Sequence, residues 1–264
     1  MKAKSHGHRV VLVTATHGEA GEIYNMDEAA SRPRLGEIRA KELKTASDIL
    51  GVDRQEFLGY RDSGMVDTAD NKDPRSFHQA KLDDAAGKLA VFIREERPDV
   101  VVTYAEDGVY GHPDHIKAHY VTNAALDLLE KEGLAVKKQY YTAIPRSMME
   151  AFIQQMPEEA RAAMGGNMRV AGTPDELVTT RVDVHDYVER KREASEPTRV
   201  RTTRTHGSRP CRTRSTRWRS APSTTSWSGA SRARSCPSQT CLRGLLLKAG
   251  QALIRGTGVL PVKN

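Results

Sequence analysis

The sequence predicts an α/β fold built on a mostly parallel sheet with helices on both faces. The first observation is that "RVVLVTAT" and "DVVVTY" are continuous apolar, β-branched runs, which is typical of strands covered on both faces. The second is that stretches with helical period lie between the strand-like runs, an alternation that indicates βαβ units. In such sheets ligands bind at the carboxyl ends of the strands, so the loops that follow them are where we expect function.

The individual elements follow in order. After the strand at 9–16, the stretch 31–51 has helical period, with Pro33 in its first turn and Gly51 as its stop. Next come a short strand at "EFLGY" and a helix at 77–98. The remaining predictions are a strand at "DVVVTY", a helix at about 114–132, strands at "KQYYTAIP" and "LVTTRVDV", and helices at "RSMMEAFIQQ" and "HDYVERKREA".

The net charge of +7 comes from the end of the chain. Residues 195–264 carry 14 Lys and Arg and one acid, a net charge of +13, whereas residues 1–194 have a net charge of −6. All three cysteines also lie in 195–264, which fits a reducing compartment for the remainder. No stretch reaches the roughly 20 apolar residues that span a bilayer. We therefore expect a cytoplasmic protein with no membrane partner.

Composition divides the chain into an α/β domain, 1–194, and a tail, 195–264. Of the 49 residues from Ser195 to Arg243, 19 are Ser or Thr and 11 are Arg, and no helix or strand period is visible. One interpretation is a disordered arm that binds nucleic acid through arginine. The other is an out-of-frame reading of a GC-rich gene, which the lack of Lys and Asp and the scattered Cys and Trp favour. We expect a disordered or non-native tail and no specific nucleic-acid partner.

The motif "YGHPDH" directly follows the strand "DVVVTY" and carries the strongest functional signal. Pro113 suits the first turn of a helix, which places His112 at the amino end of that helix and puts His115 and His119 on one of its faces. Neutral imidazole is the commonest zinc ligand, and a neighbouring carboxylate such as Asp114 can fix its tautomer. Histidines that only cap or pack are the alternative. The position in a polar loop at a strand's carboxyl end favours a metal site.

Other polar residues follow the first two strands, and each is a weak signal alone. No G-x-G-x-x-G, P-loop or G-x-S-x-G pattern accompanies them, so nucleotide binding and a serine nucleophile are not supported, and metal-assisted hydrolysis remains. The residues are His17, Glu19 and Glu22, then Arg34, then Arg61 and Asp62.

Four ordered blocks, "VVLVTATHGEAGE", "RLGEIRAKEL", "LGYRDSGM" and "RPDVVVTY…GVYGHPDH", resemble the LmbE-like or PIG-L family of zinc-dependent de-N-acetylases over about residues 7 to 193. The resemblance implies a Rossmann-like fold, a Zn²⁺ cofactor and removal of an N-acetyl group from a small molecule containing N-acetylglucosamine. A metal-bound hydroxide would attack the acetamide carbonyl. The alternative within the family is a mycothiol S-conjugate type of amidase. The expected partner is thus an N-acetylated amino sugar or its conjugate.

The resemblance also implies roles for individual residues. His115 is implied as a metal ligand, and His112 as the group that stabilises the oxyanion or protonates the leaving amine. Tyr110 is implied to polarise the amide carbonyl, and Asp114 to support the histidines. The implied substrate-binding residues are Arg34, Asp62 and Glu22.

One family motif, A-H-P-D-D-E after the first strand, does not occur in this sequence. The resemblance places the residues before "GHRVVLVT" in the helix that follows that strand. We therefore expect a first strand to be missing, backbone groups of neighbouring strands to be left unpaired, and two of the three metal ligands to be absent. One histidine cannot hold a catalytic zinc. The sequence thus predicts impaired zinc binding and a poor hydrolase, or a sugar-binding protein without metal.

Overall fold

A computed structural model describes residues 1–24, 26–163, 172–195 and 250–255, all of which belong to one compact unit. In this part of the chain no helix combines the length and the apolar character that crossing a membrane requires. The strands are β1 (Arg9–Thr16), β2 (Arg54–Tyr60), β3 (Val100–Tyr104), β4 (Lys138–Thr142) and β5 (Gly250–Arg255). The helices are α1 (Lys2–Ser5), α2 (Glu28–Ser31), α3 (Leu35–Leu50), α4 (Ala69–Lys72), α5 (Leu82–Glu96), the single turn α6 (Gly108–Gly111), α7 (Pro113–Lys131), α8 (Arg146–Gln154), α9 (Glu158–Ala163) and α10 (Val188–Ser195).

The five strands form one sheet in the order β2-β1-β5-β3-β4. β1 pairs with β2 in parallel, and β3 pairs with β4 in parallel. β5 lies between these two pairs and runs antiparallel to both β1 and β3. The carboxyl ends of β1, β2 and β3 therefore open into the loops in which the sequence predicts function.

Helices α5 and α7 pack on each other over the sheet, and α3 packs on α10. The core contains Val11 and Val13 of β1, Leu89 of α5 and Val121 and Leu129 of α7, all of which are buried. Apolar residues at helical spacing on α5 and α7 thus cover the strands that the β-branched runs form.

Most predicted elements are confirmed. The strand expected at "LVTTRVDV" is wrong: residues 175–177 form a turn of 3₁₀ helix and residues 178–184 have no regular structure. Val182 and Val184 are both exposed, so the alternation in sequence does not correspond to a buried face. The predicted helix at 31–51 begins as α2 and a 3₁₀ turn that holds Pro33, and continues as α3 to Leu50.

The structure corrects one expectation about the sheet. Residues 250–255, which lie in the tail, form β5. Backbone groups of the strands next to the missing one were expected to be unpaired, yet β5 bonds to residues 9–14 of β1 and 100–102 of β3. The physical reason is that buried backbone N–H and C=O groups require partners, and β5 supplies them. The rest of the tail from residue 196, including the segment considered as an alternative nucleic-acid arm, lies outside the described residues.

An ion-pair cluster around the buried side chain of Glu96 ties α5 to the amino ends of two strands. Glu96 accepts from Arg9 Nε (2.8 Å) and from Arg54 Nη1 (2.9 Å), with its side chain 7% exposed. Arg9, ahead of Arg54, lowers the pKa of Glu96 against the opposing effect of burial. Glu95 also pairs with Arg54 (2.9 Å), but its side chain is 57% exposed.

We expect Glu96→Gln to lower the free energy of unfolding at pH 7 by about 2 kcal/mol, because it leaves two arginines without their buried partner. Since the pKa of Glu96 is lowered in the folded state, its contribution is present above the pKa of the unfolded chain and disappears as the pH falls through the folded-state pKa. Urea unfolding at pH 7 and at acid pH measures both. The control is Glu95→Gln, which should cost less than about 0.5 kcal/mol. Equal losses for the two variants would contradict the prediction.

Candidate functional site

Three loops at the carboxyl ends of β1, β2 and β3 are joined by backbone-to-carboxylate hydrogen bonds. The Asp62 N–H donates to Glu19 Oε2 (3.1 Å), which connects the loop after β2 to the loop after β1. The Ser63 N–H donates to Asp114 Oδ2 (3.0 Å), which connects the loop after β2 to the first turn of α7. The three loops thus converge in the structure as predicted. Glu19, a candidate for substrate contact, uses its carboxylate to connect two of the loops.

Asp114 is the most buried acid of the cluster, at 1% exposure. Its Oδ1 atom is buried and accepts no hydrogen bond from the described residues. Burial raises the pKa of Asp114 to about 7, with the neighbouring carboxylate of Asp62 adding to the rise and the hydrogen bonds from Ser63 opposing it. Asp62 is also buried, and its Oδ1 accepts from the Gly64 N–H (2.9 Å).

His112 caps the amino end of α7. Its Nδ1 accepts from the Asp114 N–H (3.1 Å), so in the neutral ring the proton is on Nε2. Burial lowers the pKa of His112, opposed by the charge of Asp62, and this favours the neutral form. His112 is therefore set up as a neutral Nε2–H donor.

His115, one turn into α7, has the opposite tautomer. Its Nδ1 lies 3.1 Å from the Gly108 carbonyl oxygen, which can only accept, so the proton is on Nδ1 and Nε2 keeps its lone pair. Burial, with the neighbouring His112 adding to the effect, lowers the pKa of His115 to about 4. The rings of His112 and His115 are 4.8 Å apart. A neutral, buried imidazole with a free Nε2 is what a metal ligand requires.

His119, on the same face of α7, uses both ring nitrogens within the protein. Nδ1 donates to the Tyr104 carbonyl (2.9 Å), and Nε2 faces Asn123 Nδ2 (3.0 Å). The sequence placed His119 beside His115 on a candidate metal-binding face. The structure does not bring a free nitrogen of His119 to that site.

Tyr110 lies over the two site histidines from a strained loop. Its ring meets those of His112 and His115 edge-on, at 5.9 and 5.1 Å, and its side chain is 47% exposed. Burial raises its pKa, with Asp62 adding to the effect, so the phenol stays protonated. The preceding residue, Val109, has φ +73°, which is unfavourable for a β-branched side chain.

The predicted substrate-binding residues divide between the buried cluster and the surface. Asp62 lies in the cluster, whereas Arg34 and Glu22 are exposed. Arg34 Nε lies 3.4 Å from Glu37, and the Glu22 carbonyl accepts from Arg39 Nη2 (3.4 Å).

Two other candidates have structural partners. The His17 ring stacks on Phe57 at 4.1 Å. Arg61 was considered as a partner of Asp62, but it pairs with Asp70 and Asp73 instead.

Sequence reasoning missed two residues that shape the site, Ser63 and Tyr104. Ser63 acts through its backbone N–H, which no residue pattern reveals. Tyr104 is the last residue of β3, and its ring stacks on His115 at 4.1 Å with the planes 8° apart. Its place at the carboxyl end of a buried strand was the available signal.

The described residues do not fit a complete catalytic zinc centre. Such a centre needs three protein ligands and an open position. Within residues 1–24, 26–163 and 172–195, no group of three or more His, Cys, Asp or Glu side chains could hold a metal ion. His115 Nε2 fits one ligand position, and the unpartnered Oδ1 of Asp114 is the nearest further oxygen donor in sequence.

Comparison with known proteins identifies the class. The model of the PIG-L family, GlcNAc-PI de-N-acetylase, matches residues 1–126. A 1D-myo-inositol 2-acetamido-2-deoxy-alpha-D-glucopyranoside deacetylase from Thermobifida fusca is 43% identical over 206 residues, covering 72% of each chain. A protein of the same name from Acidothermus cellulolyticus is 43% identical over 205 residues, 71% of this chain and 68% of its own.

The chain belongs to the PIG-L family, as the four sequence blocks predicted. Among solved structures, the N,N'-diacetylchitobiose deacetylase from Pyrococcus horikoshii is 21% identical, with a TM-score of 0.42, over 73% of this chain and 60% of that one. The curated relatives are named deacetylases, enzymes that hydrolyse a C–N amide bond.

A pair of glycine substitutions tests how the loop before α7 holds His115. Both Gly108 (φ +62°) and Gly111 (φ +81°) have left-handed backbones, but a Cβ on Gly108 would lie 2.9 Å from the Ile116 N, whereas Gly111 has open space. Gly111→Ala should cost about 1 to 2 kcal/mol from its backbone conformation alone. We expect Gly108→Ala to cost at least about 1 kcal/mol more, because the start of α7 must move. Urea unfolding compares them, and equal costs would contradict the prediction.

Proposed function

We propose that the chain is an N-deacetylase that hydrolyses the acetamide of a small molecule containing N-acetylglucosamine, with zinc as its cofactor. The observation that carries the proposal is the pair of neutral histidines on one turn of α7, whose hydrogen bonds assign them opposite tautomers. His115 has a lone pair on Nε2 available to a metal, and His112 has an N–H on Nε2 available as a hydrogen-bond donor. The names of the relatives support an amino-sugar substrate linked to inositol.

In this proposal each residue acts through an atom already placed by its partners. His115 would hold the metal through Nε2, as one of its ligands. His112 donates its Nε2–H to the oxygen that becomes negative as the amide carbonyl is attacked. Transfer of a proton to the leaving amine would require a doubly protonated ring. Because Nδ1 of His112 accepts from the Asp114 N–H, the ring is held neutral, which supports the oxyanion role.

Tyr110 and the acids complete the proposed site. The raised pKa of Tyr110 supports a protonated phenol that polarises the amide carbonyl, and its partial exposure gives access to substrate. Asp114 holds His112 through its own backbone N–H and the β2 loop through its carboxylate. Arg34, Asp62 and Glu22 remain our proposed sugar contacts; the exposure of Arg34 and Glu22 leaves their side chains accessible to a ligand.

We expect the 264-residue chain, assayed with excess zinc on 1D-myo-inositol 2-acetamido-2-deoxy-α-D-glucopyranoside, to release free amine slowly. His112→Ala should lower that rate about 100-fold, because a donor to the developing oxyanion is lost. The control is His185→Ala, which changes an exposed histidine outside the site and should keep the starting rate.

The deacetylase from Thermobifida fusca, assayed in parallel, provides the reference rate of amine release. The rate of this chain should lie far below it, because the described residues provide one well-defined zinc ligand. A folded chain that releases no amine above the blank would overturn the deacetylase proposal. A zinc content near one per chain, with a rate equal to that of the relative, would contradict the conclusion that the metal centre is incomplete.

A further inference from the structure

His119 is a buried histidine that the proposed reaction does not use. Its Nδ1 must carry the proton, because the Tyr104 carbonyl at 2.9 Å can only accept. In the neutral ring Nε2 is then an acceptor, and Asn123 Nδ2 at 3.0 Å is its donor. Both nitrogens are therefore satisfied, and the ring is fixed in one tautomer.

Asn123 extends this arrangement to the neighbouring strand. Because its amide nitrogen faces His119, its Oδ1 is free to accept, and it does so from Gln139 Nε2 (2.6 Å) and the Tyr141 hydroxyl (3.1 Å). Gln139 and Tyr141 both belong to β4, which pairs with β3. His119 thus connects the last carbonyl of β3 to a helix that is itself held to β4.

The side chain of Tyr104 brings this connection to the proposed metal ligand. Its ring lies flat on the His115 ring, with centroids 4.1 Å apart and planes 8° apart. The hydrogen bond from Nδ1 to the Gly108 carbonyl holds one atom of His115, and the Tyr104 ring restricts the tilt of the plane. Together they leave the imidazole little rotational freedom, which is what precise placement of a functional group requires.

We propose that His119 is a positioning residue for His115: by holding the Tyr104 carbonyl, it keeps the Tyr104 ring against the imidazole. The inference deepens the proposed function, on which the role of His115 rests. It assigns His119 a place in the site without contact with substrate or metal.

Two substitutions of His119 separate this role from simple packing. In His119→Asn the side-chain amide nitrogen lies where Nδ1 was, so the donor to the Tyr104 carbonyl is kept. In His119→Gln the amide nitrogen lies where Nε2 was, so that donor is lost although the side chain is larger. The readout is the ¹H–¹³C NMR spectrum of the His115 ring, assigned with His115→Gln, in which a stacked aromatic ring displaces the ring protons upfield.

We expect Tyr104→Leu to abolish the upfield displacement, so that this variant gives the chemical shift of an unstacked His115 ring. His119→Gln should lose most of the displacement. His119→Asn should retain it. Ala125→Gly, at a buried position further along α7, is the control for general destabilisation and should also retain it.

A wild-type displacement in His119→Gln would overturn the proposal, as would an equal loss in Ala125→Gly when thermal unfolding shows both variants folded. The measurement needs neither zinc nor substrate. Failure of the deacetylase assay therefore leaves the NMR result interpretable, and failure of the NMR prediction leaves the deacetylase proposal standing.

Discussion

The hydrogen bond from the Ser63 N–H to the buried carboxylate of Asp114 is the contact on which the site depends. Asp114 lies between the two site histidines in the first turn of α7, and Ser63 follows β2, so the bond fixes α7 against another strand's loop. The bond from Asp62 to Glu19 continues the connection to the loop after β1. Because burying a carboxylate is unfavourable unless it is hydrogen-bonded, the loops can reach this arrangement only if the bond forms.

Backbone partners explain how the three histidines of α7 and its N-cap take different roles. His112 faces a backbone N–H and becomes an Nε2–H donor, whereas His115 and His119 face carbonyls and carry their protons on Nδ1. The partner of the remaining nitrogen then separates the last two. Asn123 occupies Nε2 of His119, and the described contacts leave Nε2 of His115 available. Backbone geometry therefore decides which imidazole is a candidate ligand.

Much of this could be predicted from the sequence, because it depends on local patterns. The β-branched runs located β1 and β3, Pro113 located the start of α7, and the four family blocks located the histidines. The rest depends on contacts between distant segments. The tautomer of His119 is set by a carbonyl 15 positions away, and β5 pairs with β1 and β3 from the far end of the chain. The apolar alternation at "LVTTRVDV" suggested a strand, but a pattern cannot say whether a partner edge lies beside it.

The exchange rate of the Ser63 amide hydrogen, followed by NMR, tests the central contact most directly. If the Asp114 carboxylate organises the loops, that amide is strongly protected in the wild-type chain and in Asp114→Asn, whose side-chain oxygen can still accept. In Asp114→Ala the Ser63 amide should exchange much faster, while amides in the middle of α5 keep their protection. Equal protection of Ser63 in Asp114→Ala and in the wild-type chain would contradict the account.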